Sequence, residues 1–129
     1  MARKTGSGRG RASRKTPAQA WQLPPAVVLA IEADGLLDSL APLPETTVVV
    51  RALYGEVGPG LIARALPDCI LAPLIGSQFD AIELAQRVCG LGFRGRMVVG
   101  APALPNRAAV KRELDAACDG LTVELIELR

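Results

Sequence analysis

The chain has 129 residues, enough for one folded domain, and 50% of them are hydrophobic while only 3% are aromatic. It contains no histidine, which excludes imidazole bases and histidine-bound zinc, and no apolar run approaches the roughly 20 residues that span a bilayer. The net charge of +2 hides an asymmetry, because residues 1–31 carry no acid while the remainder holds nine basic and thirteen acidic residues.

Residues 1–22 are predicted to be a disordered basic tail ahead of a folded domain at residues 23–129, because so few apolar side chains cannot offset the entropy of ordering. The tail lacks the apolar stretch of a secretory signal, so we expect a cytoplasmic protein. Its cations could neutralise phosphates or contact an acidic surface. They are Arg3, Lys4, Arg9, Arg11, Arg14 and Lys15.

The cysteines are widely spaced and form no CxxC pair, and their number is odd. In a cytoplasmic protein this pattern predicts reduced thiols, buried as small hydrophobic side chains on one strand and two helices. The three residues are Cys69, Cys89 and Cys118.

The first half of the domain alternates strands and helices. Residues 26–31 form a continuous apolar run, typical of a strand buried on both faces, and the β-branched residues 46–51 predict a second strand. Between them residues 36–40 predict a short helix that ends before two prolines. A second helix is predicted at residues 59–66 from its apolar spacing. The glycine-rich residues 55–60 lack a phosphate-binding motif and predict a plain turn.

The second half continues the alternation with strands predicted at residues 69–72, 97–99 and 121–128. The run Ser77-Gln-Phe-Asp80 matches a capping box and predicts the start of a third helix, and Asn106 predicts the N-cap of a fourth. The last strand alternates apolar and polar residues, which places it at or near a sheet edge. Strands joined by helices predict an α/β fold, a five-stranded and mostly parallel sheet with helices on both faces.

Residues 67–84 resemble the receiver domain of response regulators. Here Pro67-Asp68 precedes an apolar strand, and Phe79-Asp-Ala-Ile-Glu-Leu84 is similar to the family's Met-Asp-Gly-x-Glu-Leu helix opening. The resemblance implies a flavodoxin-like sheet and a phosphorylated aspartate at the end of the third strand. It also implies acidic Mg²⁺ ligands, a Thr or Ser after the fourth strand and a Lys after the fifth, which together hold the phosphoryl group.

The chain departs from that pattern at nearly every functional position. Pro73 matches the acceptor aspartate, Gly100-Ala101-Pro102 offers no hydroxyl, no Lys follows the fifth strand, and the family's last helix is missing. Glu32 and Asp34 remain as candidates for a vestigial cation site, although two solvated acids at a helix start are the simpler interpretation. We therefore expect a pseudo-receiver without catalytic residues, bound metal or cofactor.

The other carboxylates favour structural roles, Asp68 in a turn and Asp80 in a helix cap. Because no convergent set of polar groups is evident, an enzyme is the least favoured hypothesis. The sequence favours a non-enzymatic signalling module that binds a protein partner, and the alternative is a nucleic-acid-associated protein that uses the basic tail. The expected docking surface lies on the fourth helix and fifth strand, at Arg107, Lys111, Arg112, Glu124 and Glu127. Without a last helix, we also expect apolar surface near the final strand, which a homodimer or another subunit would cover.

Overall fold

A computed structural model describes residues 24–40 and 42–128. The predicted tail, its six cations and Trp21 lie outside these residues. Within the described ranges, nine elements alternate as strand and helix: β1 (Val27–Ile31), α1 (Asp34–Ser39), β2 (Val48–Ala52), α2 (Pro59–Ala65), β3 (Cys69–Pro73), α3 (Ala81–Gly90), β4 (Arg96–Ala101), α4 (Arg107–Ala117) and β5 (Thr122–Glu127). A short 3-10 turn, Tyr54–Glu56, separates β2 from α2. No helix among the described residues is long and apolar enough to cross a membrane.

The strands form one sheet in the order β2-β1-β3-β4-β5, and every pair is parallel. This confirms the predicted α/β class and the position of the last strand at a sheet edge. The chain order reverses between β1 and β3, which is where doubly wound sheets open a crevice at the carboxyl ends of their strands. A ligand site is therefore expected just beyond Ile31 and Pro73.

The central strands are apolar on both faces because helices cover both. Leu29, Ile70 and Val99 are fully buried on the face that α2, α3 and α4 cover. Val28, Leu71 and Val98 are fully buried on the opposite face, where Leu36 of α1 packs. The side chains of a parallel strand alternate between these two clusters, so each strand contributes to both.

The expectation of exposed apolar surface near the final strand is wrong. Leu125 and Ile126 of β5 are each 3% exposed, and they belong to the clusters on opposite faces of the sheet. Packing within the chain thus covers the apolar side chains of β5.

Helix caps follow the sequence with one correction. Asn106 caps α4 as predicted, since its side chain accepts the Ala109 N–H at 3.1 Å. Helix α3 begins three residues later than expected, with Asp80 as the N-cap. Its carboxylate accepts the Glu83 N–H at 2.9 Å, and Glu83 accepts the Asp80 N–H at 3.1 Å. Ser77 lies outside the capping box because its hydroxyl has another partner, described below.

The prediction of three reduced thiols is also wrong. Cys89 at the end of α3 and Cys118 after α4 form a disulfide, with their Cα atoms 5.9 Å apart. The bond joins two neighbouring helices on one face of the sheet. Cys69 is a free thiol on β3, and burial raises its pKa to about 11. Of the three, only Cys69 matches the expected buried thiol.

Candidate functional site at the carboxyl ends of the strands

The crevice between β1 and β3 is organised around Glu32, the first residue after β1. Its carboxylate accepts the Tyr54 N–H at 3.0 Å and the Ser77 hydroxyl at 2.8 Å. Glu32 thus joins the loop after β2 to the loop after β3. The backbone N–H of Tyr54, followed by the Ser77 hydroxyl, holds the pKa of Glu32 below its usual value. The carboxylate is therefore charged, and each of its oxygens already has a donor.

The Glu32 backbone adopts the left-handed conformation, with φ of 50°. This conformation is unfavourable for a residue with a Cβ and is kept only where surrounding contacts hold it. The contacts here are those of the carboxylate together with the Glu32 N–H, which donates to the Ala52 carbonyl at 3.0 Å. The residue is bonded to β2 through its backbone and to the loops after β2 and β3 through its side chain.

Asp34, the second candidate acid, points away from this contact. Its carboxylate accepts from Arg51 Nε at 2.9 Å, and both side chains are largely exposed. An exposed ion pair of this kind contributes little to stability. The two acids flank a shallow cleft of about 200 Å³ whose other charged lining residues are Arg51 and Glu56. One acid is thus bonded to neighbouring loops and the other to a cation.

Pro73 ends β3 and lies beside Gly100 in the register with β4. It carries no nucleophile, and the next residue is held in place because the Leu74 N–H donates to the Gly100 carbonyl at 2.8 Å. Gly100 has no side chain, and a Cβ there would lie 2.4 Å from Leu36 Cδ1. Helix α1 thus occupies the space that a side chain at the end of β4 would need.

An aromatic cluster that the sequence did not predict lies beside Glu32. The rings of Tyr54 and Phe79 stack with centroids 4.7 Å apart. The Arg87 guanidinium lies 4.9 Å from the centre of the Tyr54 ring and donates from Nε to the Val57 carbonyl at 3.0 Å. The same two loops that Glu32 joins are therefore also held by ring packing. The only sequence signal for this cluster was that the chain has few aromatic residues, two of which meet here.

Within the described residues, no group of three or more His, Cys, Asp or Glu side chains could hold a metal ion. Asp68 lies at the opposite end of the sheet, where its carboxylate accepts the N–H groups of Ala26 and Val27 at 3.0 and 2.9 Å. Burial alone would raise the pKa of Asp68. The two N–H groups, its own N–H and the charge of Arg96 outweigh burial, so the pKa lies below its usual value. Asp68 anchors the start of β1, and Asp80 caps α3, so both carboxylates have structural partners.

The expected docking residues on α4 and β5 differ in their contacts, and Glu124 lies on the face of the sheet opposite α4. Arg107 donates from Nη2 to the Leu125 carbonyl at the outer edge of β5. Lys111 pairs with Asp115 one turn along α4, at 2.8 Å. Arg112 is exposed. On β5, Glu124 lies 4.0 Å from Arg96, and Glu127 accepts the Leu104 N–H at 3.1 Å.

No family model matches the sequence, and no curated protein sequence matches it. Among solved structures, the fold is similar to the signal receiver domain of the response regulator NarL from Mycobacterium tuberculosis. The TM-score is 0.51 at 14% sequence identity, and the match covers 79% of this chain and 84% of that one. At this identity the likeness establishes a receiver-like fold.

Proposed function

We propose that this chain is a non-enzymatic signalling module that uses a receiver-like scaffold without a phosphoryl switch and binds a protein partner. The observation that carries the proposal is the set of residues at the carboxyl ends of the strands. Pro73 ends β3 where the resemblance places the acceptor aspartate, and both oxygens of the Glu32 carboxylate bond to neighbouring loops.

This arrangement supports a single, constitutive loop conformation. In the receiver pattern, a metal and a phosphoryl group supply the charges that position the loops. Here the Glu32 carboxylate and the Tyr54–Phe79 ring stack connect the loops after β2 and β3 with no added group. A partner would then bind the folded domain without any prior modification. The fraction of partner bound would depend on the concentration of the chain.

The first test treats the chain with a small-molecule phosphodonor and Mg²⁺ and follows intact mass and backbone amide shifts. We expect no added phosphoryl mass and no Mg²⁺-dependent shift at Glu32, Asp34 or Leu74. The positive control is a receiver domain that keeps its acceptor aspartate, treated in parallel. One acid-labile phosphoryl group on this chain would contradict the proposal.

The proposed docking surface is the exposed side of α4, where Arg112 points to solvent. A photo-crosslinking residue at position 112 is expected to capture one defined protein in the source cells. The matched position is Arg64, an exposed cation on α2, where the same probe should not capture that protein. Equal capture from both positions would contradict docking at α4.

A second function is favoured by the charge distribution. Six cations and no acid precede residue 31, while the rest of the chain is acidic overall. If the tail binds nucleic acid, the logarithm of the binding constant should fall steeply with the logarithm of salt concentration. Deletion of residues 2–15 should abolish binding, whereas replacing Lys111 and Arg112 by Gln should not. Salt-independent or undiminished binding would exclude this function.

A further inference from the structure

A cleft of about 400 Å³ lies at the amino ends of the strands, between the end of α2 and the loop that joins α3 to β4. Ile62 and Leu66 line it from α2 and its cap, and Leu91 and Phe93 line it from the loop. Asp68, directly before β3, completes the lining next to the sheet. The cleft lies at the end of the sheet opposite to Glu32.

The charged groups of this cleft are already bonded. The Asp68 carboxylate accepts the two N–H groups at the start of β1. The Arg94 guanidinium donates from Nη1 to the carbonyls of Cys89 and Phe93, each at 2.9 Å. The other side chains that line the cleft are apolar, so it suits an apolar group better than a charged or polar ligand.

Leu66 occupies an unusual position beside this cleft. It caps α2 in the left-handed conformation, with φ of 47°, and its N–H donates to the Ile62 carbonyl at 2.9 Å. Glycine is the usual residue there, because a side chain makes this conformation costly. The leucine side chain is also 75% exposed among the apolar residues of the cleft. Both features favour a further apolar contact at Leu66.

The chain enters the folded domain next to the same cleft. The Ala26 N–H donates to Asp68, a lining residue, at 3.0 Å. Pro25 is buried and Pro24, the first described residue, is exposed. The residues just ahead of Pro24 are therefore tethered beside the cleft. Residue 21 is five positions from Ala26, a span of at most about 18 Å in a fully extended chain.

We propose that residues 20–23, with the sequence Ala-Trp-Gln-Leu, bind in this cleft of their own chain and that the Trp21 indole packs against Leu66. Leu23 precedes a proline, which favours an extended backbone. In an extended segment Trp21 and Leu23 point to the same side, while Gln22 points to water. An indole brings the largest apolar surface of any side chain, which matches a cleft of this size and character.

The tether selects this segment over a second copy of the chain. A connection of so few residues gives an effective concentration on the order of millimolar, well above that of another chain in a micromolar solution. The contact would place Trp21 with the folded domain and leave the six cations of the tail ahead of it. The inference does not depend on the proposed function, because Glu32 and Pro73 lie at the carboxyl ends of the strands.

The test uses tryptophan fluorescence of the full oxidised chain, which contains a single tryptophan. We expect emission at a shorter wavelength than in denaturant, and slower quenching by acrylamide. Leu66→Asp should move both towards the values of the unfolded chain. Aspartate adopts the left-handed conformation more readily than leucine, so circular dichroism should show an intact fold. Emission of the native wild type equal to that of the unfolded chain would overturn the proposal.

The matched control is Ile75→Asp, which adds the same charge at a residue that is 72% exposed but follows β3 at the other end of the sheet. It should leave the emission unchanged. Deletion of residues 2–15 should also leave it unchanged, because residues 20–23 remain. Protection of Trp21 that survives Leu66→Asp would place the indole elsewhere and contradict this site.

Nuclear Overhauser contacts in the wild-type chain test the site without any substitution. The indole protons should contact the methyl groups of Leu66 and Leu91. The emission should also be independent of chain concentration over a wide micromolar range. Absence of those contacts would overturn the proposal. A blue shift that appears only at high concentration would assign the cleft to a second copy and overturn binding within one chain.

Discussion

Single residues at the carboxyl ends of the strands hold neighbouring loops together. Glu32 takes a left-handed backbone conformation and uses its two carboxylate oxygens on Tyr54 and Ser77. A carboxylate bonded in this way is a fixed internal contact between two loops. Its value to the fold therefore lies in holding two loops together.

Replacing Glu32 by Gln should lower the melting temperature and speed amide exchange at Tyr54, because a neutral amide is a weaker acceptor than a carboxylate. Since the pKa of Glu32 is lowered from its ordinary 4.5, its contribution is fully present above that pH. The contribution is lost as pH falls through the lower folded value, so the difference between the two proteins should shrink in acid.

Thermal unfolding as a function of pH measures this contribution of Glu32. Asp34→Asn is the control, because its partner Arg51 is exposed and the pair should add little. Ser77→Ala should reproduce part of the Glu32→Gln effect. Equal melting temperatures of wild type and Glu32→Gln at neutral pH would contradict a structural role for this carboxylate.

At the scale of elements, helix α3 depends on a reciprocal cap. Replacing Asp80 by Ala removes the acceptor for the Glu83 N–H and should lower the free energy of unfolding by about 1 kcal/mol. Denaturant titration measures the loss. Asp38→Ala, at an exposed position of α1, should change stability much less. If Asp80→Ala cost no more stability than Asp38→Ala, the cap would have been assigned to the wrong residue.

The packing of α1 on β4 depends on the absence of a side chain at Gly100. A Cβ there would lie 2.4 Å from Leu36 Cδ1 and 3.2 Å from Leu128 Cδ1. Gly100→Ala should therefore destabilise the chain by about 1–3 kcal/mol, the usual range for overpacking a core. Equilibrium unfolding tests this loss. Gly35→Ala is the control within α1, where an added Cβ meets nothing within 4 Å, and it should be neutral or stabilising. A neutral Gly100→Ala would show that the Leu36 side chain can move aside at little cost.

At the scale of the whole molecule, the disulfide joins α3 and α4 across a sequence separation of 29 residues. Closing a loop of this length restricts the unfolded chain, so reduction should lower the free energy of unfolding by about 3–4 kcal/mol. Denaturant titrations with and without a thiol reductant measure the difference. Cys89→Ser combined with Cys118→Ser should match the reduced protein and show no further response to reductant.

Thiol counting gives an independent check of that bond. Alkylation of the unfolded, unreduced chain should label Cys69 alone, and reduction should expose all three cysteines. In the native chain Cys69 should resist labelling, since burial keeps its thiol protonated with a pKa of about 11. Three labelled thiols before reduction would contradict the disulfide.

The amino-acid sequence by itself determined the alternation of strands and helices, the parallel sheet and the N-cap at Asn106. These follow from local features: apolar runs, helical spacing and a side chain that bonds three residues away. The resemblance at residues 67–84 also pointed to the receiver-like order of strands, which the sheet confirms.

Only the tertiary structure decided which distant groups meet. Ser77 matched a local capping pattern, yet its hydroxyl bonds to Glu32, 45 residues away in the chain. Cys89 and Cys118 had no sequence spacing that marks a pair, and they meet because neighbouring parallel strands place α3 beside α4. Likewise, the positions of β2 and β5 at the two edges of the sheet depend on strand order, and the cover on β5 depends on where Arg107 reaches. Local patterns act over a few residues, whereas these contacts depend on how whole elements pack.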